Sequence, residues 1–138
     1  MELSEALDYV RERRQGVLTT LKRDGRPQLS NIAYYVGEDA TVRISVTADR
    51  AKTRNLERDP RASLYVTSDD FWSYCVLECV AALSPTAADA HDATADALVE
   101  YYRTLQGEHP DWEEYRRAMV ADRRLVVRLP LGRIYGMG

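Results

Sequence analysis

The dipeptide Asp24-Gly25 separates two segments that both resemble β-strands. Asp-Gly between strand-like segments is a strong signal for a tight antiparallel hairpin. The preceding segment, Val17 to Lys22, is rich in β-branched residues, which favour strands. The segment from Arg26 to Val36 is expected to return beside it. The chain is therefore expected to begin its sheet with antiparallel strands.

Further strands follow at short intervals. After a turn at Gly37-Glu38-Asp39, the segment Thr41 to Thr47 alternates apolar and polar residues, so a three-stranded meander is predicted. More strands are predicted at 62–67, 72–84, 124–129 and 133–136, and helices at 4–14, 50–58, 86–106 and from Pro110 onward. Six or seven short antiparallel strands with inserted helices predict one mainly β domain over residues 1–138, a closed or split antiparallel β-barrel with peripheral helices.

Composition narrows the functional class. The chain has 138 residues and a net charge of −3, which argues against nucleic-acid binding and against an anionic membrane surface. No apolar run approaches the ~20 residues that span a bilayer. The start Met-Glu-Leu-Ser does not resemble a signal peptide, so a cytoplasmic protein is expected.

The sequence gives little support for a disulfide, a metal site or a catalytic cysteine. Cys75 and Cys79 lie on one predicted strand, about 13 Å apart at about 3.3 Å per residue, which is too far for a disulfide. They are expected to be buried apolar residues. With only His91 and His109 besides, no metal site is predicted, and no phosphate loop or nucleophile motif is present.

A short basic helix follows the strand that ends at Thr47. Asp49 is its predicted N-cap, and Arg50, Lys52 and Arg54 fall in its first turn and a half. Cations are unfavourable at the positive end of a helix dipole, and a bound anion such as phosphate relieves that conflict. The alternative is an ordinary solvated basic face.

Uncharged polar side chains lie on the neighbouring strands. Gln28, Asn31, Ser45 and Thr47 are expected to form a hydrogen-bonding wall beside the basic helix, suited to a planar cofactor with a phosphate tail. Trp72 and Tyr74 either pack against such a ring or belong to the core.

Three motifs together carry a family resemblance. Asp24-Gly25-Arg26-Pro27-Gln28-Leu29-Ser30-Asn31, Arg50-Ala51-Lys52-Thr53-Arg54-Asn55-Leu56 and Asp59-Pro60-Arg61-Ala62-Ser63 resemble the pyridoxamine 5′-phosphate oxidase-like flavoproteins, whose fold is an FMN-binding split β-barrel. Trp72-Ser73-Tyr74, Glu108-His109-Pro110-Asp111-Trp112 and Arg133-Ile134-Tyr135-Gly136 resemble the branch that uses the deazaflavin coenzyme F420. The chain departs from the true oxidases in lacking their longer C-terminal substrate-binding arm, so pyridoxamine phosphate oxidation is not expected.

The resemblance implies a homodimer with two cofactor sites at the subunit interface. It implies that the cofactor phosphate is held by Arg50, Ala51 and Lys52 with Asn55 nearby, that Gln28, Asn31 and Ser45 lie near the ribityl chain and ring, and that Trp72 comes from the partner subunit. The implied activity is hydride transfer between reduced F420 and an unsaturated small organic molecule. An FMN enzyme of the same fold and a non-catalytic F420 carrier are the alternatives. No catalytic residue is assigned; Tyr35 and solvent are the candidates for a proton donor.

Overall fold

The computed structural model describes residues 1–137, and this range contains four helices and nine strands. The helices are α1 (Leu3–Arg11), α2 (Ala51–Arg58), α3 (Ala93–Gln106) and α4 (Trp112–Ala121). The strands are β1 (Gln15–Leu21), β2 (Pro27–Ala33), β3 (Tyr35–Val36), β4 (Thr41–Thr47), β5 (Arg61–Thr67), β6 (Tyr74–Val80), β7 (Ala82–Leu83), β8 (Arg124–Pro130) and β9 (Arg133–Met137). None of these helices is long and apolar enough to cross a membrane.

The strands form two antiparallel sheets whose inner faces share one core. The first sheet has the order β2-β1-β5-β6-β9, and the second has the order β3-β4-β8-β7. Leu18, Leu64 and Leu77 of the first sheet and Ile44 and Val127 of the second belong to the same buried cluster. The alternation of apolar residues along each strand therefore faces one shared interior. This architecture confirms the predicted split β-barrel with peripheral helices.

The chain changes sheets twice where one continuous element was predicted. β2 ends at Ala33, and Tyr34 is fully buried with its hydroxyl donating to the Val10 carbonyl at 2.8 Å. Tyr35 then pairs with Arg43 in the second sheet, so the predicted three-stranded meander is wrong. The predicted strand at 72–84 likewise divides into β6 in the first sheet and β7 in the second.

Helices α3 and α4 cover the outer face of the second sheet. Leu98 of α3 packs with Val126 of β8 and Ala87, and the Tyr115 hydroxyl of α4 donates to the Leu98 carbonyl at 2.9 Å. α3 starts seven residues later than predicted, at Ala93, because the Asp92 carboxylate accepts from the Ala95 amide and caps the helix. The Ala-rich stretch before it is a loop. α1 begins at Leu3, one residue before the predicted start, and Glu2 occupies its N-cap position.

The outer face of the first sheet remains largely uncovered. Leu29, Val80, Tyr135 and Met137 share this face, and each is more than half exposed. Exposed large apolar side chains that share one sheet face, here with polar residues between them, mark a candidate interaction surface. By contrast, Cys75 and Cys79 point to the core and are buried free thiols, as predicted.

Candidate functional site

The first turn of α2 presents uncompensated positive charge. The predicted N-cap at Asp49 is wrong: Arg50 occupies that position, its backbone is extended, and no side chain caps the helix. The first turn contains no acidic residue. The first backbone N–H groups of a helix have no acceptor within it, and they lie at the positive end of the dipole. The start of α2 is therefore a place where an anion is stabilised.

Three cationic side chains come together beside this turn. Burial lowers the pKa of Lys52, and the positive charges of Arg50 and Arg124 lower it further. Arg124 of β8 donates through Nη1 to the Ser45 hydroxyl at 3.2 Å, while its Nε is buried without a hydrogen-bond partner. Among residues 1–137, none of the ion pairs includes Arg50, Lys52 or Arg124. This group, the α2 cation cluster (Arg50, Lys52 and Arg124), matches the charge of a phosphate.

The open groove at the start of α2 is mixed in charge. It is lined by Thr47, Asp49, Arg50, Ala51 and residues 121–123. Asp49 and Asp122 lie at this groove together with Arg50 and Arg123, so acidic and basic side chains offset one another there. Lys52 and Arg124 are not among the residues that line it.

The expected polar wall does not form on one surface. Gln28 pairs across the ladder with Thr20, on the inward side of the first sheet, whereas Asn31 pairs with Val17 and is exposed on the outer side. Residues three apart on a strand point to opposite faces, so Gln28 and Asn31 cannot share one. Ser45 belongs to the second sheet, where it pairs with Val126.

Asn55 has a role inside the protein. It is 7% exposed, its Nδ2 donates to the Thr20 hydroxyl at 3.1 Å, and its Oδ1 accepts from Arg58 at 3.0 Å. These bonds attach α2 to β1. Because Gln28 lies opposite Thr20, they also bring the beginning of β2 close to α2.

Two strand edges have no full strand partner within the described residues. β2 is the last strand of the first sheet, so its outer edge has no neighbouring strand in that sheet. β3 pairs only with Val42 and Arg43 of β4, so no strand pairs with that edge of β4 beyond these two residues. Tyr101 of α3 lies at the end of β2, where its hydroxyl donates to the Ala33 carbonyl at 2.8 Å.

The β5–β6 loop holds two aromatic side chains out in solvent. Phe71 and Trp72 are 73% and 79% exposed. Asp70 fixes the loop by accepting from the Ser68 hydroxyl at 2.7 Å and from the Trp72 amide at 3.0 Å. Phe71 has a φ of 69°, a costly value for an aromatic residue, so the loop conformation is set by its surroundings. Trp72 thus lies at the border of the uncovered face, available to a second molecule.

Comparisons with known proteins agree with this architecture. A family model described as pyridoxamine 5'-phosphate oxidase matches residues 3–135. The conserved hypothetical protein Rv2991 from Mycobacterium tuberculosis is similar at 25% identity and a TM-score of 0.78, covering 99% of this chain and 84% of that one.

Two more solved structures share the fold at lower identity. An F420 reductase is similar at 19% identity and a TM-score of 0.71, covering 93% of this chain and 94% of that one. HutZ, the heme storage protein from Vibrio cholerae, is similar at 16% identity and a TM-score of 0.71, covering 99% of this chain and 94% of that one. These likenesses extend to the fold, which serves more than one cofactor.

The sequence did not indicate Arg124 as a site residue. Arg124 joins the α2 cation cluster only through the pairing of β8 with β4. In the sequence alone it is an ordinary strand arginine.

Proposed function

Because the chain belongs to the pyridoxamine 5'-phosphate oxidase family, we propose that it is an oxidoreductase that uses the deazaflavin coenzyme F420. When bound, this coenzyme supplies or accepts a hydride. The second substrate is an unsaturated small organic molecule. The protein's own contribution is to bind the cofactor, orient it and shape the space beside it.

The observation that carries the proposal is the α2 cation cluster. Arg50, Lys52 and the first backbone N–H groups of α2, that of Ala51 included, hold the cofactor phosphate. Arg124 adds a third cation whose buried Nε has no partner within the described chain. A buried unpartnered donor is costly, so a ligand that accepts from it is stabilising.

The rest of the cofactor is proposed to lie beside Gln28, on the inward side of β2, and near Ser45 of β4. Asn31 lies on the opposite face of β2, so its side chain reaches a bound cofactor only from the outer side of that strand. Asn55 supports the site by attaching α2 to β1. For Tyr35, burial raises the pKa, which makes its phenol a weaker acid, so solvent is the preferred proton source.

The F420 motif resemblance and the F420 reductase among the similar folds support F420 over other cofactors. FMN is the alternative, since its phosphate would use the same cations. The similarity to a heme storage protein raises heme as a further ligand of this fold. Both imidazoles here have local contacts: His91 lies 3.1 Å from Glu113, and His109 Nδ1 accepts from the Asp111 amide.

The working form proposed is a homodimer that buries the uncovered face of the first sheet. Six exposed large apolar side chains lie on this face or in its bordering loop: Leu29, Phe71, Trp72, Val80, Tyr135 and Met137. A two-fold axis brings the same patch of each subunit together, and it brings Trp72 of one subunit toward the other. The proposed site then includes side chains of both chains.

Titration of the purified protein tests the proposal. Oxidised F420 is added to colourless protein, and its fluorescence and the protein's melting temperature are followed; we expect saturable quenching and a rise in melting temperature. A yellow protein that releases FMN on denaturation would favour the flavin alternative. Tight F420 binding without turnover of quinones or enones would favour the carrier. A protein that binds neither F420 nor FMN would refute the F420 proposal and the FMN alternative.

A further inference from the structure

We infer that Trp72 of each subunit inserts into a groove on the outer face of the partner's first sheet. That groove borders the β5–β6 loop of its own subunit, so one patch carries both a projection and a recess, as a two-fold interface requires. The inference rests on the homodimer in the proposed function, because it names the contact that joins the two copies. It does not depend on which cofactor the protein binds.

The recess is the Asn31 groove, an open depression of about 560 Å³. Val17 pairs with Asn31 on one side and with Tyr65 on the other, so these three residues form one row across β2, β1 and β5 on the outer face. Asp69 and Phe71 of the β5–β6 loop also line the groove. Trp72 is not among the lining residues, so the subunit's own indole does not fill it.

The lining of the groove matches the chemistry of an indole. Val17, Tyr65 and Phe71 supply apolar and aromatic surface for the ring. The indole Nε1–H is a donor that needs an acceptor when the ring is buried. The Asn31 amide oxygen and the Asp69 carboxylate belong to the same groove, and both residues are exposed in the single chain. The groove therefore offers an indole both apolar contact and a hydrogen-bond acceptor.

The β5–β6 loop holds Trp72 in place for this contact. The Ser73 amide donates to the Ser68 hydroxyl at 3.0 Å, and the Ser68 amide donates to the Ser73 carbonyl at 3.0 Å. From α1, the Tyr9 hydroxyl forms a hydrogen bond of 2.8 Å with the Ser73 hydroxyl. A conformation fixed in advance reduces the entropy lost when a side chain is buried at an interface. These bonds thus favour docking of an indole that is largely exposed in the single chain.

The exposed area fits a second copy of the chain better than a small ligand. A large aromatic side chain buries roughly 150–250 Å². Phe71 and Trp72 are both largely exposed, so the four rings of a dimer supply several hundred Å² of the roughly 1,600 Å² that a standard interface buries. Leu29, Tyr135 and Met137 add further apolar surface. A small ligand in the Asn31 groove would leave Trp72 in solvent, whereas a second copy covers both.

Tryptophan fluorescence tests the contact directly. Trp112→Phe leaves Trp72 as the sole tryptophan of the chain, and Trp72→Phe is the matched control that leaves only Trp112. Each protein is diluted without cofactor, and its emission maximum, its quenching by acrylamide and its sedimentation are followed together. The sedimentation of Trp72→Ala is measured separately, so the test does not depend on the folding of Trp112→Phe.

We expect Trp72 to be protected from acrylamide in the dimer and to shift its emission to the red on dilution, with the midpoint that sedimentation gives for dissociation. The emission of Trp112 should not follow that midpoint. Trp72→Ala should raise the dissociation constant of the dimer roughly 30-fold or more, as for an interface hot spot. Ala33→Phe, which adds a ring to the Asn31 groove, should weaken the dimer and expose Trp72. Ala118→Phe, at an exposed position on α4, should do neither.

Two results would overturn the inference and leave the homodimer standing: a dimer in which Trp72 stays accessible to acrylamide, or a wild-type dissociation constant in Trp72→Ala. Protection of Trp72 that appears only after F420 is added would also overturn it, because the cofactor rather than the partner subunit would then cover the indole. A wild-type protein that is monomeric at every concentration would refute the proposed homodimer itself.

Discussion

Replacing Lys52 with alanine is expected to weaken cofactor binding without lowering the stability of the ligand-free protein. In the protein without ligand, Lys52 is half-buried beside Arg50 and Arg124, and its pKa is lowered by burial first and by those charges next. A group whose charged form is disfavoured by folding does not stabilise the folded state at neutral pH. We therefore expect Lys52→Ala to leave the melting temperature of the ligand-free protein unchanged or slightly higher.

The same substitution weakens cofactor binding. A charge-assisted hydrogen bond to phosphate contributes about 1.5–3 kcal/mol, which corresponds to roughly a 10- to 150-fold rise in Kd. Because Lys52 is partly solvated, the lower part of that range applies at salt near 0.5 M, where the Debye length falls to about 4 Å. Arg54→Ala is the control, since Arg54 is on the same helix but exposed. Its Kd should change by less than about threefold, as for a screened surface charge.

Fluorescence titration at low and high salt measures these effects. Lys52→Ala with a wild-type Kd at low salt would refute the assignment of the phosphate to α2. A large fall in the melting temperature of the ligand-free variant would show that Lys52 is structural, which contradicts the lowered pKa. Raising the pH offers a further check. Wild-type affinity should decline as Lys52 loses its proton, and this loss should occur below 10.5, the ordinary pKa of lysine.

The remaining predictions concern the interface, the core and the anchoring of α2. Val80→Glu places a charge on the uncovered face and should give monomers in sedimentation, whereas Leu3→Glu, at an equally exposed position on α1, should leave the dimer intact; a monomeric wild type would contradict the proposed interface. Burial raises the pKa of Tyr115 from 10.0 to about 12, so its contribution to stability is complete below pH 10 and is lost as the pH rises toward 12. In urea unfolding followed against pH, Tyr115→Phe should reduce this alkaline loss of stability. A pH profile unchanged from that of the wild type would contradict the role given to Tyr115. Asn55→Ala removes a buried bond to Thr20 and should lower the free energy of unfolding by roughly 1–3 kcal/mol; an unchanged value would show that Asn55 is free to serve the cofactor alone.

Local chemistry in the sequence predicted much of the sheet. At the Asp24-Gly25 turn, the Gly25 φ of 86° is one that glycine adopts without cost, and the Lys22 amide donates to the Arg26 carbonyl at 2.9 Å to close the hairpin. The alternation of β4 around Ile44 was equally informative, because period two leaves only one face for the core. These features depend on residues close together in the chain.

The features that the sequence could not predict depend on distant partners. Tyr34 sits in a continuous β-rich segment, and the break there results from burial of its side chain against α1, 24 residues away. The position of Arg124 in the site depends on which strand pairs with β4 and in which register. The basic helix could be recognised from local sequence, but Arg124, the cation that completes its cluster, could not.

The pairing of β4 with β8 also determines when the proposed phosphate site can form as the chain folds. Ser45 and Arg124 are 79 residues apart in the chain, so the contact between them closes a long loop. Loop closure of this length carries an entropic cost that must be met before the contact stabilises anything, and topologies rich in such contacts fold slowly. A nascent chain that has completed β1 to β6 has the hairpin and α2 but lacks β8. The proposed phosphate site is therefore among the last parts to form during biosynthesis, and a cofactor that binds it would favour the final closure of the barrel.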